Sequence, residues 1–182
     1  RWRWGQRLPM IPAHVMPNWF SLFATSMFVA LPLFFGAGCE TWSERADGNR
    51  ALALLDSGVN LHIGGDPEAA IRSYEEVLSI AEDPEMKAAA LGNIGLALTT
   101  LGDTMVAQAK FEEVLILTQH PETKAQALNN IGELLQNQGH LDAACVSYVE
   151  ALRLTTHPDL ESLINEHLDA MPATVCLELL AQ

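Results

Sequence analysis

The sequence predicts an all-α protein: a solenoid of three helix hairpins with C-terminal capping helices, preceded by a hydrophobic N-terminal helix. Three observations lead there. Residues from 51 to 158 recur in register every 37 positions. Within each copy the apolar residues keep helical spacing. Charge also divides the chain: residues 1–38 carry Arg1, Arg3 and Arg7 and no acid, which leaves 7 basic and 23 acidic residues in 39–182. The first part is an apolar, cationic segment and the second a strongly acidic domain.

The N-terminal element comes first. Residues 19–38 hold no strongly polar side chain. At 1.5 Å per residue, a helix of that length would just cross a hydrocarbon core of about 30 Å. Basic residues ahead of it and an acidic domain behind it follow the order of an export segment, with the arginines kept on the cytoplasmic side. Gly36-Ala37-Gly38-Cys39 closes the run, after Pro32. This resembles the lipobox of bacterial lipoproteins, although Gly36 stands where the family has an aliphatic residue. The resemblance implies cleavage before Cys39 and its acylation. The alternative is an uncleaved transmembrane helix at 19–38. Residues 40–50 read as a linker.

The repeat follows. Gly58, Gly95 and Gly132 align, as do Gly65, Gly102 and Gly139, and then Ala70, Ala107 and Ala144. Tyr74, Phe111 and Tyr148 form an aromatic column, Val77, Val114 and Ala151 an aliphatic one, and Pro84, Pro121 and Pro158 a proline column. Each copy reads as two helices. In the second, Leu91, Ile94 and Leu98 make one stripe, Gly102-Asp103 interrupts, and Ala107, Phe111, Val114 and Leu115 make the next. Residues after each proline suit a first helical turn. Small residues such as Gly95 and Ala107 let paired helices approach, and Phe111 is expected to fill the space between successive pairs. One hairpin cannot bury its own apolar face, so the copies must stack. The units run 51–84, 85–121 and 122–158. In 159–182, Leu160, Leu163, Ile164 and Leu168 form a capping helix and 174–180 a second.

Leu91-x2-Ile94-Gly95-x2-Leu98 with Ala107-x3-Phe111, echoed by Leu128-x2-Ile131-Gly132-x2-Leu135 with Ala144-x3-Tyr148, resembles the tetratricopeptide repeat family. The period is 37 rather than 34. The resemblance implies a right-handed solenoid whose first helices line a concave groove for a protein or peptide partner. Carried over position by position, it places Leu52, Leu55, Val59, His62 and Ile63 there from the first copy. The second copy supplies Ala89, Gly92, Leu96, Thr99 and Thr100, and the third Gln126, Asn129, Glu133, Gln136 and Asn137. The groove would grade from apolar to amide-rich. No Lys or Arg occupies these positions, so a clamp on a C-terminal carboxylate is not expected. A segment of mixed polarity fits better, its main chain bonded by Gln126, Asn129, Gln136 and Asn137.

Composition limits the remaining functions. A net charge of −13 argues against nucleic acid as partner. No phosphate loop, His-Glu-x-x-His or Gly-x-Ser-x-Gly motif is present, so no enzymatic activity, cofactor, metal or small-molecule substrate is expected. His120 and His157 recur, each before a proline, and read as polar helix-start residues rather than a metal site. Gly64-Gly65-Asp66 reads as a turn. Cys145 and Cys176 read as two buried thiols acting as small apolar residues, with a bridge pinning the cap to the third copy as the alternative. The whole reading is a membrane-tethered adaptor of the cell envelope, or else a permanent accessory subunit held by the 19–38 helix.

Overall fold

A computed structural model describes residues 46–172 and Cys176. Every regular element among these residues is helical. Residues 19–38, Cys39 and the second capping helix other than Cys176 lie outside the described residues. Helix α1 is described over 46–63, so its helical residues run into the stretch read as a linker. Then follow α2 (Pro67–Ile80), α3 (Pro84–Leu101), α4 (Thr104–Leu117), α5 (Pro121–Asn137), α6 (Leu141–Leu154) and α7 (Pro158–Asp169). The seven helices pack in consecutive pairs, as in a tetratricopeptide-like helical repeat. Among the described residues no helix is long and apolar enough to cross a membrane.

The recurring residues set the helix ends. Pro84, Pro121 and Pro158 sit in the first turns of α3, α5 and α7, where a missing N–H leaves no bond unmade. Gly65, Gly102 and Gly139 have φ of +86°, +87° and +81°. That left-handed conformation turns the chain from the first to the second helix of each hairpin, and glycine adopts it without the strain other residue types would meet. Asp66 then caps α2 by accepting the Ala69 N–H at 2.9 Å.

Packing explains the other glycine column. A Cβ on Gly95 would lie 2.5 Å from the Phe111 ring, and one on Gly132 2.6 Å from the Tyr148 ring. Gly58 meets Tyr74 in the same way. The aromatic side chain therefore lies first on the glycine of its own hairpin, not only between pairs as the sequence reading had it. Each core then recruits the next hairpin's first helix. Phe111 and Val114 pack with Ala127, Ile131 and Leu134 of α5. Tyr74 and Val77 pack with Ala90 and Ile94 of α3. Tyr148 and Ala151 pack with Ile164 of α7. Stacking is thus a packing requirement, because the aromatic ring needs both neighbours to be covered.

The cysteines correct one expectation. Cys145 and Cys176 are joined in a disulfide, with Cα atoms 5.8 Å apart, an ordinary separation for such a bond. Cys145 is fully buried on the inward stripe of α6. Met171, buried in the same cluster, brings the chain after α7 back to it.

Candidate functional site

The first helices of the hairpins, α1, α3 and α5, present the side chains expected to line a groove. Leu52, Val59, Ile63 and Leu96 are exposed although large and apolar, and Leu55 is half-buried. Large apolar groups left in water beside one another are the usual mark of an interaction surface. Ala89, Thr100, Gln126, Glu133 and Asn137 are exposed, while Gly92, Thr99 and Gln136 are half-buried.

Between α3 and α5 the surface opens into a cleft of about 150 Å³. Its floor is Ala88, Phe111, Val114 and Ala127, and its walls include Ala89, Gly92, Leu96 and Gln126. That volume is about five waters' worth and suits one inserted side chain, well below the range of metabolite pockets. The structure thus brings four of the expected residues together. It also adds Thr123, Asn93 and Asn130 to the rim, which the sequence reading did not select. The repeat period could have found the two asparagines. They stand 37 residues apart, at a register continued by Asp56 and His167. Each offers a donor and an acceptor to a passing main chain.

A second, wider cavity of about 610 Å³ flanks α1, lined by Asp56, Asn60, Leu61 and Asp66 among others. On the groove side of the first two hairpins, His62 Nε2 lies 2.9 Å from Thr100 Oγ1. The Thr100 hydroxyl donates to the Leu96 carbonyl at 3.1 Å, which leaves its oxygen to accept from the imidazole N–H. Thr99 donates to the Gly95 carbonyl at 2.9 Å.

At the far end, two of the expected amides are placed differently from the rest. Asn129 is only 4% exposed, and its Oδ1 has no hydrogen-bond partner among the described residues. The Tyr148 hydroxyl donates to Gln136 Oε1 at 2.8 Å, so that carbonyl serves the hairpin. Burial and, secondarily, the Glu133 charge hold the Tyr148 hydroxyl far above the usual phenol range. His167 of α7 stacks on the Tyr148 ring, centroids 5.2 Å apart and planes within 6°.

His120 and His157 stand at helix starts, as expected, and beside each lies a threonine–glutamate bond that the sequence reading missed. Thr118 donates to the Glu85 carboxylate at 2.6 Å and accepts the His120 backbone N–H at 2.9 Å. One period on, Thr155 donates to Glu122 at 2.6 Å and accepts the His157 N–H at 3.1 Å. Each threonine ends the second helix of a hairpin, and each glutamate begins its first. The bond from Thr155 is the main cause holding the Glu122 carboxyl below its ordinary value, aided by the Thr156 N–H and the charges of His157 and His120 against desolvation. In the first hairpin both partners are absent together, replaced by Gly48 and Ala81. Among the described residues no three metal-ligating side chains cluster.

No curated protein matches the chain. Residues 125–157 match the family model of the tetratricopeptide repeat, over most of α5, all of α6 and the turn that follows. The chain therefore contains a tetratricopeptide repeat, set within a helical repeat domain, and such a repeat points to a protein partner.

Proposed function

We propose that this chain is a membrane-tethered adaptor of the bacterial cell envelope. Its three hairpins, as a right-handed solenoid, hold a segment of a protein partner during assembly of a pilus, secretion or outer-membrane complex. The observation that carries the reading is the exposed row of Leu52, Val59, Ile63 and Leu96 running into a side-chain-sized cleft rimmed by Asn93, Gln126 and Asn130. Such a surface anchors an apolar side chain and bonds the main chain beside it. Because helices pre-form it, little conformational freedom is lost on binding. An anchor, by acylation of Cys39 or through residues 19–38, would raise the effective concentration of the groove at the membrane. The Cys145–Cys176 disulfide supports export, since such bonds persist in oxidising compartments.

Photo-crosslinking side chains placed singly at Leu96 and Asn130 should capture a discrete partner in cells. The same group at Glu75 and Glu112, on the second helices, should capture none. Equal capture from both faces would refute the groove. Mass measurement of the mature chain separates the anchors. Added acyl mass on Cys39 supports the lipoprotein form, and an intact N-terminus supports an accessory subunit held by residues 19–38.

A further inference from the structure

The cations of the first helices fall in one column. Arg50, Lys87 and Lys124 stand 37 residues apart and are the only Lys or Arg residues in the described parts of α1, α3, α5 and α7. Arg50 shows where this column points, because its guanidinium bonds Glu76 of α2, on its own hairpin. One and two periods later that register holds Glu113 and Glu150. Arg50 is therefore directed along the hairpin flank, toward a carboxylate of its own hairpin, while Glu113 and Glu150 are bonded by Lys110 and Arg153 of their own helices.

The groove columns have the opposite content. Asp56 shares the register of Asn93 and Asn130, Glu133 that of Leu96, and Glu166 that of Gly92. These reference residues line the cleft, and all three carboxylates are exposed. No Lys or Arg occupies the same columns. Exposed carboxylates thus share the columns of an apolar cleft, with no cation in those columns. An acidic segment docking there would be repelled, whereas a basic one would exchange solvated charges for close opposite ones.

We infer, resting on the adaptor reading above, that the groove is specific for a basic segment. One large apolar residue seats between α3 and α5, and Lys or Arg residues on either side meet Asp56 and Glu133. Neighbouring first helices pack about 10 Å apart, and an extended chain advances about 3.3 Å per residue. The two cations are therefore about six residues apart, with the anchor between them and a third cation toward Glu166.

Random 12-residue peptides displayed on phage and selected against the full-length chain in detergent micelles test this. The expected binders carry two or more Lys or Arg around a Leu, Ile, Phe or Met. The best is then synthesised and titrated against Asp56→Asn/Glu133→Gln/Glu166→Gln and against Glu75→Gln/Glu82→Gln/Glu112→Gln, which removes the same charge elsewhere. Circular dichroism checks that both variants fold, and Glu133→Gln alone serves if the triple variant does not. Affinity should fall about tenfold for the groove variant and less than about twofold for the control. Equal losses in both would overturn the inference. So would selection of acidic or neutral peptides that Leu96→Lys blocks, although the adaptor reading would then survive. Selection of no peptide that depends on the groove would overturn both.

Discussion

The seam inside each hairpin and the open face of its first helix follow the same period under different rules. At the seam the three copies agree in residue type: Gly58 under Tyr74, Gly95 under Phe111, Gly132 under Tyr148. On the open face they agree only in position, with the exposed Val59, Leu96 and Glu133 sharing one register. The seam has no spare volume, so geometry dictates chemistry there. The open face is bounded by solvent, and any side chain that leaves the helix intact satisfies the fold. Repetition of identity therefore marks what holds the hairpins together, and variation within a column marks where a partner is read.

The largest effect should come from emptying the seam. Phe111 is 1% exposed and contacts both its own hairpin and the next, so Phe111→Ala should cost about 3–5 kcal/mol. That is a large share of an ordinary domain's stability. Leu96→Ala, 40% exposed on the groove of the same hairpin, should change stability by less than about 0.5 kcal/mol. Urea denaturation of both variants measures the contrast. Comparable losses would mean that Leu96 belongs to the core and not to a docking face.

This contrast also explains what was legible in the sequence. The helix order, the turn glycines and the aromatic column were readable because each is a local or steric requirement that leaves one residue type in every copy. The cleft was half readable. Gln126 and Leu96 came from a family resemblance, while Asn93 and Asn130 were overlooked because identical amides one period apart look like unremarkable helix surface. The Thr118–Glu85 and Thr155–Glu122 bonds join residues 33 apart, a pairing that a 37-residue comparison of columns does not test. The Cys145–Cys176 bond depended on the path of the chain after α7, which no periodicity describes.

A sharper test uses two glycines on one helix. Gly95 faces Phe111, and Gly95→Ala should force that ring to shift at a cost of about 1–3 kcal/mol. A Cβ on Gly92 would meet no atom within 4 Å, so Gly92→Ala should gain up to about 1 kcal/mol from helix propensity. Opposite signs three residues apart would show that the seam constrains residue type and the groove does not. If both alanines stabilise, the hairpin is looser than its packing indicates. Gly92→Ala also narrows the cleft wall, so it should weaken partner binding while stabilising the fold.

The smallest effect concerns the joints, where the first hairpin differs from the other two. Glu122 is held below its ordinary value of 4.5 chiefly by the bond from Thr155. A depressed carboxyl contributes stability that is fully present above its unfolded pKa and lost as pH falls through its lower folded value. Melting temperatures of the wild type and Glu122→Gln should therefore differ at neutral pH and converge as both are acidified below about 4, because a protonated glutamate resembles glutamine. The gap should narrow in high salt, since the carboxylate is near solvent. A gap that persists at low pH would assign the role of Glu122 to packing instead. The first joint supplies the converse. Gly48→Glu and Ala81→Thr each lack a partner alone, yet together they recreate the bond seen in the second and third hairpins. The double variant should be more stable than the sum of its single changes. Simple additivity would mean that the first hairpin does not bring these two positions within bonding distance.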